Sequence, residues 1–144
     1  MTAAPHLLRR YGPALVMALL IPALSLLPAC LFARIAGPAT FPGADKLIHA
    51  LMYAALAAAL AHALTPAARA RYLWAAGIAL TSALYGLAME IGQQTLTDSR
   101  ALDPYDALAN LAGAFATALL ACAWSRHRAK RQARASQMDG PGLP

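Results

Sequence analysis

Apolar residues run along this chain in four long blocks, separated by short stretches where charge, glycine and proline collect. The blocks cover about residues 11–33, 47–64, 72–97 and 104–125. Each is near the roughly 20 residues that an α-helix needs to cross a bilayer core. The strict two-residue alternation of membrane strands is absent, so the blocks predict helices. The expected fold is therefore all-α: a polytopic membrane protein with a four-transmembrane-helix bundle over residues 1–125. Residues 126–144 are expected to form a basic, disordered tail, because they lack apolar periodicity.

Within the blocks, the polar residues are also periodic. Ser82, Gly86, Glu90, Gln93 and Thr97 follow helical steps of three and four, and so share one face. Asp103, Asp106, Asn110, Gly113 and Thr117 form a second stripe, and Lys46, His49 and Tyr53 a shorter third one. At 1.5 Å per residue, Glu90 lies about 27 Å along its helix from Tyr72, near the far edge of the hydrocarbon. Asp106 and Asn110 enter from that same edge, as do Lys46, His49 and Tyr53. Three stripes of this kind predict a pocket between helices, since charge facing lipid is costly. Gly86 and Gly113 are expected to let backbones approach closely.

Composition fits this picture. The chain of 144 residues is 60% hydrophobic and only 12% charged, against about 25% charged in soluble domains. Its net charge of +6 is unevenly spread. Arg9, Arg10, Arg69, Arg71, Arg126, Arg128, Lys130, Arg131 and Arg134 fall on one side of the predicted bundle. Arg34, Lys46 and Arg100 fall on the other. Positive charge concentrates in cytoplasmic loops, so both termini are expected in the cytoplasm. The charge is thus an orientation signal, with contact to anionic lipid, and gives no reason to invoke nucleic acid. Five of the six acidic residues, all but Asp139, gather at the opposite, outer side.

Cys30 lies near the outer end of the first span and Cys122 near the inner end of the fourth, too far apart for a disulfide. The stretch "LLPAC" ending at Cys30 looks like a lipoprotein signal, but Pro28 and the continuing apolar run favour a retained first helix. Asp103 followed by Pro104 reads as a helix N-cap, with Asp106 favourable to the helix dipole. Asp45 is expected to cap the second helix in the same way. Asp98 reads as a solvated loop residue, Gln94 as interfacial, and His62 as packed or bonded to backbone. Tyr11, Tyr72, Trp74 and Trp124 read as interface anchors.

The stripes combine cations, carboxylates, an imidazole and amides. Lys46 and Arg100 suit a phosphate or carboxylate headgroup. His49, Glu90 and Asp106 are the candidates for proton transfer. Gln93 and Asn110 would fix geometry through amide hydrogen bonds. No spacing matches a standard zinc motif, so no metal is assigned; His49, Glu90 and Asp106 would meet a metal only through folding. The sequence does not identify a cofactor. A purely structural salt-bridge network among Glu90, Arg100, Asp106 and Asn110 is the competing reading.

"DKLIHALMY" and "EIGQQTLTDSRALDPYDALANLAG" resemble the two signature blocks of the VanZ-like family of small bacterial membrane proteins. The first carries Asp45, Lys46, His49 and Tyr53; the second carries Glu90, Gln93, Arg100, Asp106, Asn110 and Gly113. The resemblance spans Asp45 to Gly113, about half the chain. Relatives often have Gly or Pro directly before the arginine, where this chain has Asp98-Ser99. The resemblance implies a protein of the bacterial inner membrane and cell envelope, in a family named for a link with teicoplanin resistance. It implies no settled reaction.

The leading expectation is thus an outward-facing pocket that binds an anionic lipid or lipid-linked headgroup. Its ligand-binding residues would be Asp45, Lys46, His49, Tyr53, Glu90, Gln93, Arg100, Asp106 and Asn110. A membrane enzyme acting on a lipid-linked phosphate is an alternative, though no nucleophile motif is present. A holin-like pore or assembly partner is another. A proton-coupled transporter would require a homo-oligomer to form its pathway.

Overall fold

The computed structural model describes residues 3–26, 42–66, 70–96 and 103–138. They form four helices: α1 (Ala3–Ser25), α2 (Ala44–Ala63), α3 (Arg71–Leu96) and α4 (Pro104–Met138). Among the described residues there is no strand. Each helix is long and apolar enough to cross a membrane. The chain is an all-α, multi-pass membrane protein, and its outer surface agrees. Leu73 is 77% exposed and Leu120 71%, positions that only an apolar solvent stabilises.

The helices run up and down. The amino end of α2 meets that of α4 through Lys46 and Asp103. The carboxyl ends of α1 and α3 join them through Ser25 and Gln93. At the opposite end, Arg10 of α1 reaches Ala63 of α2.

The interior is built largely of small side chains: Ala57, Ala75, Ala79, Ala114 and Ala118 are buried, with Tyr53, Ile21 and Ile78 as the bulky inserts. Small residues let backbones pack closely where burial from lipid supplies little driving force. The closest approach is at Gly113, where a Cβ would stand 2.0 Å from the carbonyl oxygen of Ala50. No side chain fits there, so α2 and α4 touch through their backbones. Gly86 is also crowded; its Cβ would meet Tyr53 Cε1 at 3.1 Å and Asn110 Cβ at 3.2 Å.

Backbone groups broken out of the helices are repaired by side chains from neighbours. Pro22 lies inside α1 and has no N–H, which leaves the Ala18 carbonyl without its helical donor. The Tyr85 hydroxyl of α3 donates to that carbonyl. Helix carboxyl ends carry further unpaired carbonyls. Gln93 Nε2 donates to Ser25 O at 2.9 Å, Arg10 Nε to Ala63 O at 2.8 Å and Trp74 Nε1 to Leu64 O at 2.8 Å. In a bilayer no water would satisfy the buried ones among these groups.

Several expectations change. The first helix starts at Ala3, ahead of Tyr11, because "AAPHLLRR" contains good helix formers and its only proline falls in the first turn. Residues 27–33 of that expected span, with Cys30, lie outside the described residues. Cys122 is buried and free. Asp45 does not cap α2. The cap position is Gly43, at φ +85, with no side-chain cap bond, and Asp45 sits within the first turn. Glycine takes this left-handed conformation without steric cost. The basic tail is not disordered through residue 138: α4 continues past Ser125 to Met138. "RHRAKRQARASQM" is rich in Ala, Arg, Lys and Gln, which favour helix, and has no Gly or Pro. His62 is exposed, since it points away from the small-residue seam that carries Ala59 and Ala63.

Candidate functional site

The three polar stripes meet at one end of the bundle. On α3 the stripe Ser82, Gly86, Glu90 and Gln93 is wholly buried; Thr97 lies outside the described residues. On α4, Asn110 is buried, while Asp106, Gly113 and Thr117 are partly so. On α2, Lys46 and His49 are partly buried and Tyr53 is 1% exposed. The site thus runs from an open rim into a closed floor.

Lys46 organises the rim. Its Nζ lies 2.7 Å from Asp45 Oδ2, 2.6 Å from Asp103 Oδ2 and 2.7 Å from Asp106 Oδ1. One ammonium therefore ties three carboxylates from two helices. Asp103 does two jobs: Oδ1 accepts the Tyr105 N–H at 2.8 Å as the N-cap of α4, while Oδ2 takes Lys46. The Lys46 ammonium holds the Asp103 carboxyl below the usual carboxylate range.

Below the rim lies a second network. His49 Nδ1 is 3.1 Å from Asn110 Oδ1, and Asn110 Nδ2 donates to Glu90 Oε1 at 3.4 Å. His49 also stands 3.7 Å from Glu90 Oε1 through Nδ1 and 3.7 Å from Asp106 Oδ2 through Nε2. The Asn110 amide sets the imidazole. Its NH2 faces Glu90, so its oxygen faces Nδ1, and Nδ1 must carry the hydrogen. Nε2 faces Asp106. Glu90, 2% exposed, has no Lys or Arg within salt-bridge distance among the described residues. Beneath them, the Tyr53 hydroxyl and the Ser82 hydroxyl are buried without hydrogen-bond partners among the described residues.

The structure therefore brings together Asp45, Lys46, His49, Tyr53, Glu90, Asp106 and Asn110. Gln93 is buried on the same face and turns one amide hydrogen to α1. Arg100 lies outside the described residues, as does Asp98. Asp103, placed on the second stripe but read from sequence as a cap rather than a ligand-binding residue, belongs to the cluster. The signal for it was present in its phase, three residues ahead of Asp106 on the same stripe. Ser25 was also missed; it contributes a backbone carbonyl, which no side-chain pattern reveals.

Charge decides what the site accepts. Asp45, Asp103, Asp106 and Glu90 supply four carboxylates, against Lys46 and His49. The described cluster is thus acidic, and its lysine is already engaged. The opposite end of the bundle differs, with a groove of about 1250 Å³ lined by His62, Arg71, Trp74, Trp124, His127 and Arg128 among others.

Comparison with family models, with curated proteins and with solved structures yields no match.

Proposed function

We propose that this chain is a VanZ-like protein of the bacterial inner membrane whose acidic nest receives the charged headgroup of a membrane lipid or lipid-linked envelope precursor. The observation that carries the reading is the convergence of ionic side chains from three helices at one end of the bundle. It grades from the accessible Asp45 and Asp103 to the sealed Glu90 and Asn110. A network built only for stability would gain little from an open rim, since exposed ion pairs contribute about 0–1 kcal/mol.

The cluster's charge constrains the ligand. A phosphate enters an acidic nest only with countercharge, supplied by Arg100 or by a cation accompanying the headgroup. The Arg- and Lys-rich end lies opposite the nest, which supports an extracytoplasmic nest with both termini inside. A link to the cell envelope and to teicoplanin resistance follows from the family resemblance alone.

Native mass spectrometry of detergent-extracted protein tests the reading. A lipid should stay bound to the wild type and be depleted in Glu90→Gln and Asn110→Ala. Equal lipid retention by all three would remove the nest from the binding site. Thiol labelling tests orientation: Pro42→Cys should react with an impermeant reagent added outside intact spheroplasts, whereas Gln132→Cys should not.

A second reading, an enzyme acting on the lipid-linked phosphate, draws support from His49 standing between Glu90 and Asp106. That arrangement suits a general base oriented by a carboxylate. Turnover of a polyprenyl-phosphate substrate that disappears in His49→Ala would favour it, and turnover that survives would exclude this assignment.

A further inference from the structure

We infer that His49, Glu90 and Asp106 form a binding site for a divalent transition-metal ion. This deepens the headgroup reading and rests on the same nest, because such an ion supplies the countercharge that a phosphate requires there.

One donor atom from each of the three residues lies within 4.8 Å of the other two, although they come from three different helices. The donors are an imidazole and two carboxylates, a set that suits zinc, manganese or iron better than magnesium or calcium. The imidazole is already arranged as a ligand. Metal-bound histidines generally donate their other ring N–H to a fixed acceptor, and His49 Nδ1 meets Asn110 Oδ1 at 3.1 Å. Nε2, the ring nitrogen that Asn110 does not engage, faces Asp106 Oδ2 across 3.7 Å. That approach is favourable only with a cation between them, either a proton on Nε2 or a metal ion. Metal–ligand bonds of about 2.0–2.2 Å bridge that gap, and Glu90, whose Oε1 lies 3.7 Å from Nδ1, must turn toward Nε2 to complete the set.

Two features outside this triad point the same way. Glu90 is buried, and no lysine or arginine among the described residues neutralises it; Lys46 is taken up by the three aspartates at the rim. The Tyr53 hydroxyl is buried beneath the triad, its ring against Gly86 beside Asn110, with no hydrogen-bond partner among the described residues. A hydrated metal ion would answer the first need through its charge and bring water toward Tyr53, one turn along α2 from His49. A buried carboxylate without full countercharge, or a buried hydroxyl without a partner, is otherwise costly.

The test is a metal titration of the full-length, tag-free protein in lipid-free detergent, after stripping with a chelator. Zn2+ and Mn2+ are followed by calorimetry, with Mg2+ as comparison. One Zn2+ or Mn2+ should bind per chain, with Mg2+ at least tenfold weaker. Glu90→Gln, Asp106→Asn and His49→Gln should each weaken binding at least tenfold, while His127→Ala in the tail leaves it unchanged. Glu90→Gln is nearly isosteric and breaks no ion pair with a lysine or arginine, so it decides the matter if Asp106→Asn misfolds. Absence of saturable binding by the wild type overturns the inference. So does binding that stays undiminished in correctly folded Glu90→Gln and His49→Gln. Lipid retention is scored separately, on protein purified with its lipid and supplied with Zn2+. Metal binding without lipid retention would end the headgroup reading alone, and lipid retention without metal binding would end only the present inference.

Discussion

The two ends of the bundle solve the problem of charge in opposite ways. At the nest, acidic groups are bound to one another through Lys46, His49 and Asn110, and the network continues into the interior. At the other end, the cations reach backbone carbonyls and aromatic rings: Arg10 bonds to Ala63 O, and Arg126 to the Tyr72 hydroxyl at 2.6 Å. Among the described residues no carboxylate there faces them. Charge at the nest is thus internal to the protein. Charge at the basic end is left for water and lipid phosphate, as an orientation signal requires.

This contrast yields an order of sensitivities. The largest effect should come from Gly113→Leu, which drives a side chain into the backbone of Ala50. Overpacking of this kind costs about 1–3 kcal/mol and sometimes more, and with backbone on the receiving side the helices must separate. Thermal unfolding in detergent should drop sharply, and the nest should lose any ligand.

Next is Tyr85→Phe. It leaves the Ala18 carbonyl unsatisfied, at a cost of about 0.6–1.7 kcal/mol by analogy with interhelical hydrogen bonds in membranes. Its unfolding temperature should fall modestly. In a double mutant with Pro22→Ala, which restores the helical donor, much of that loss should return. Without that recovery, the proline-repair account is wrong.

Arg126→Ala should be nearly silent in stability, within about 0.5 kcal/mol, as befits an exposed pair. A large loss would mean that the basic end is as structurally committed as the nest.

The smallest effect should be a pH dependence at the rim. Asp103 titrates below its ordinary range because of Lys46. Its contribution is therefore present above the unfolded carboxylate pKa, near about 4. It is lost as pH falls through the lower folded value. Asp103→Asn should flatten the acid limb of the stability curve, and an unaltered limb would assign the titration elsewhere.

The fold was readable because apolar block length has few other meanings. The nest was readable because Glu90, Gln93, Asp106 and Asn110 repeat with helical phase in blocks otherwise almost free of charge. What escaped reading depends on distances between segments. That Lys46 would be shared by three aspartates depends on how the amino ends of α2 and α4 abut, which periodicity does not encode. Pro22 announced an unpaired carbonyl at Ala18, yet nothing local named Tyr85 as its donor. The helical course of residues 126–138 was missed because the absence of an apolar face was read as absence of structure. Helix propensity alone favours that segment in water.

The bare backbone contact between Gly113 and Ala50 has a mechanical consequence. Two helices that meet without intervening side chains have no soft layer in which to slide, so their relative height is pinned. Lys46 and His49 lie within a turn of Ala50 on one helix, and Asp106 about two turns from Gly113 on the other, so their spacing inherits that rigidity. In a thicker or thinner bilayer the pair should lean as a unit rather than shear, carrying its ionic cluster along intact.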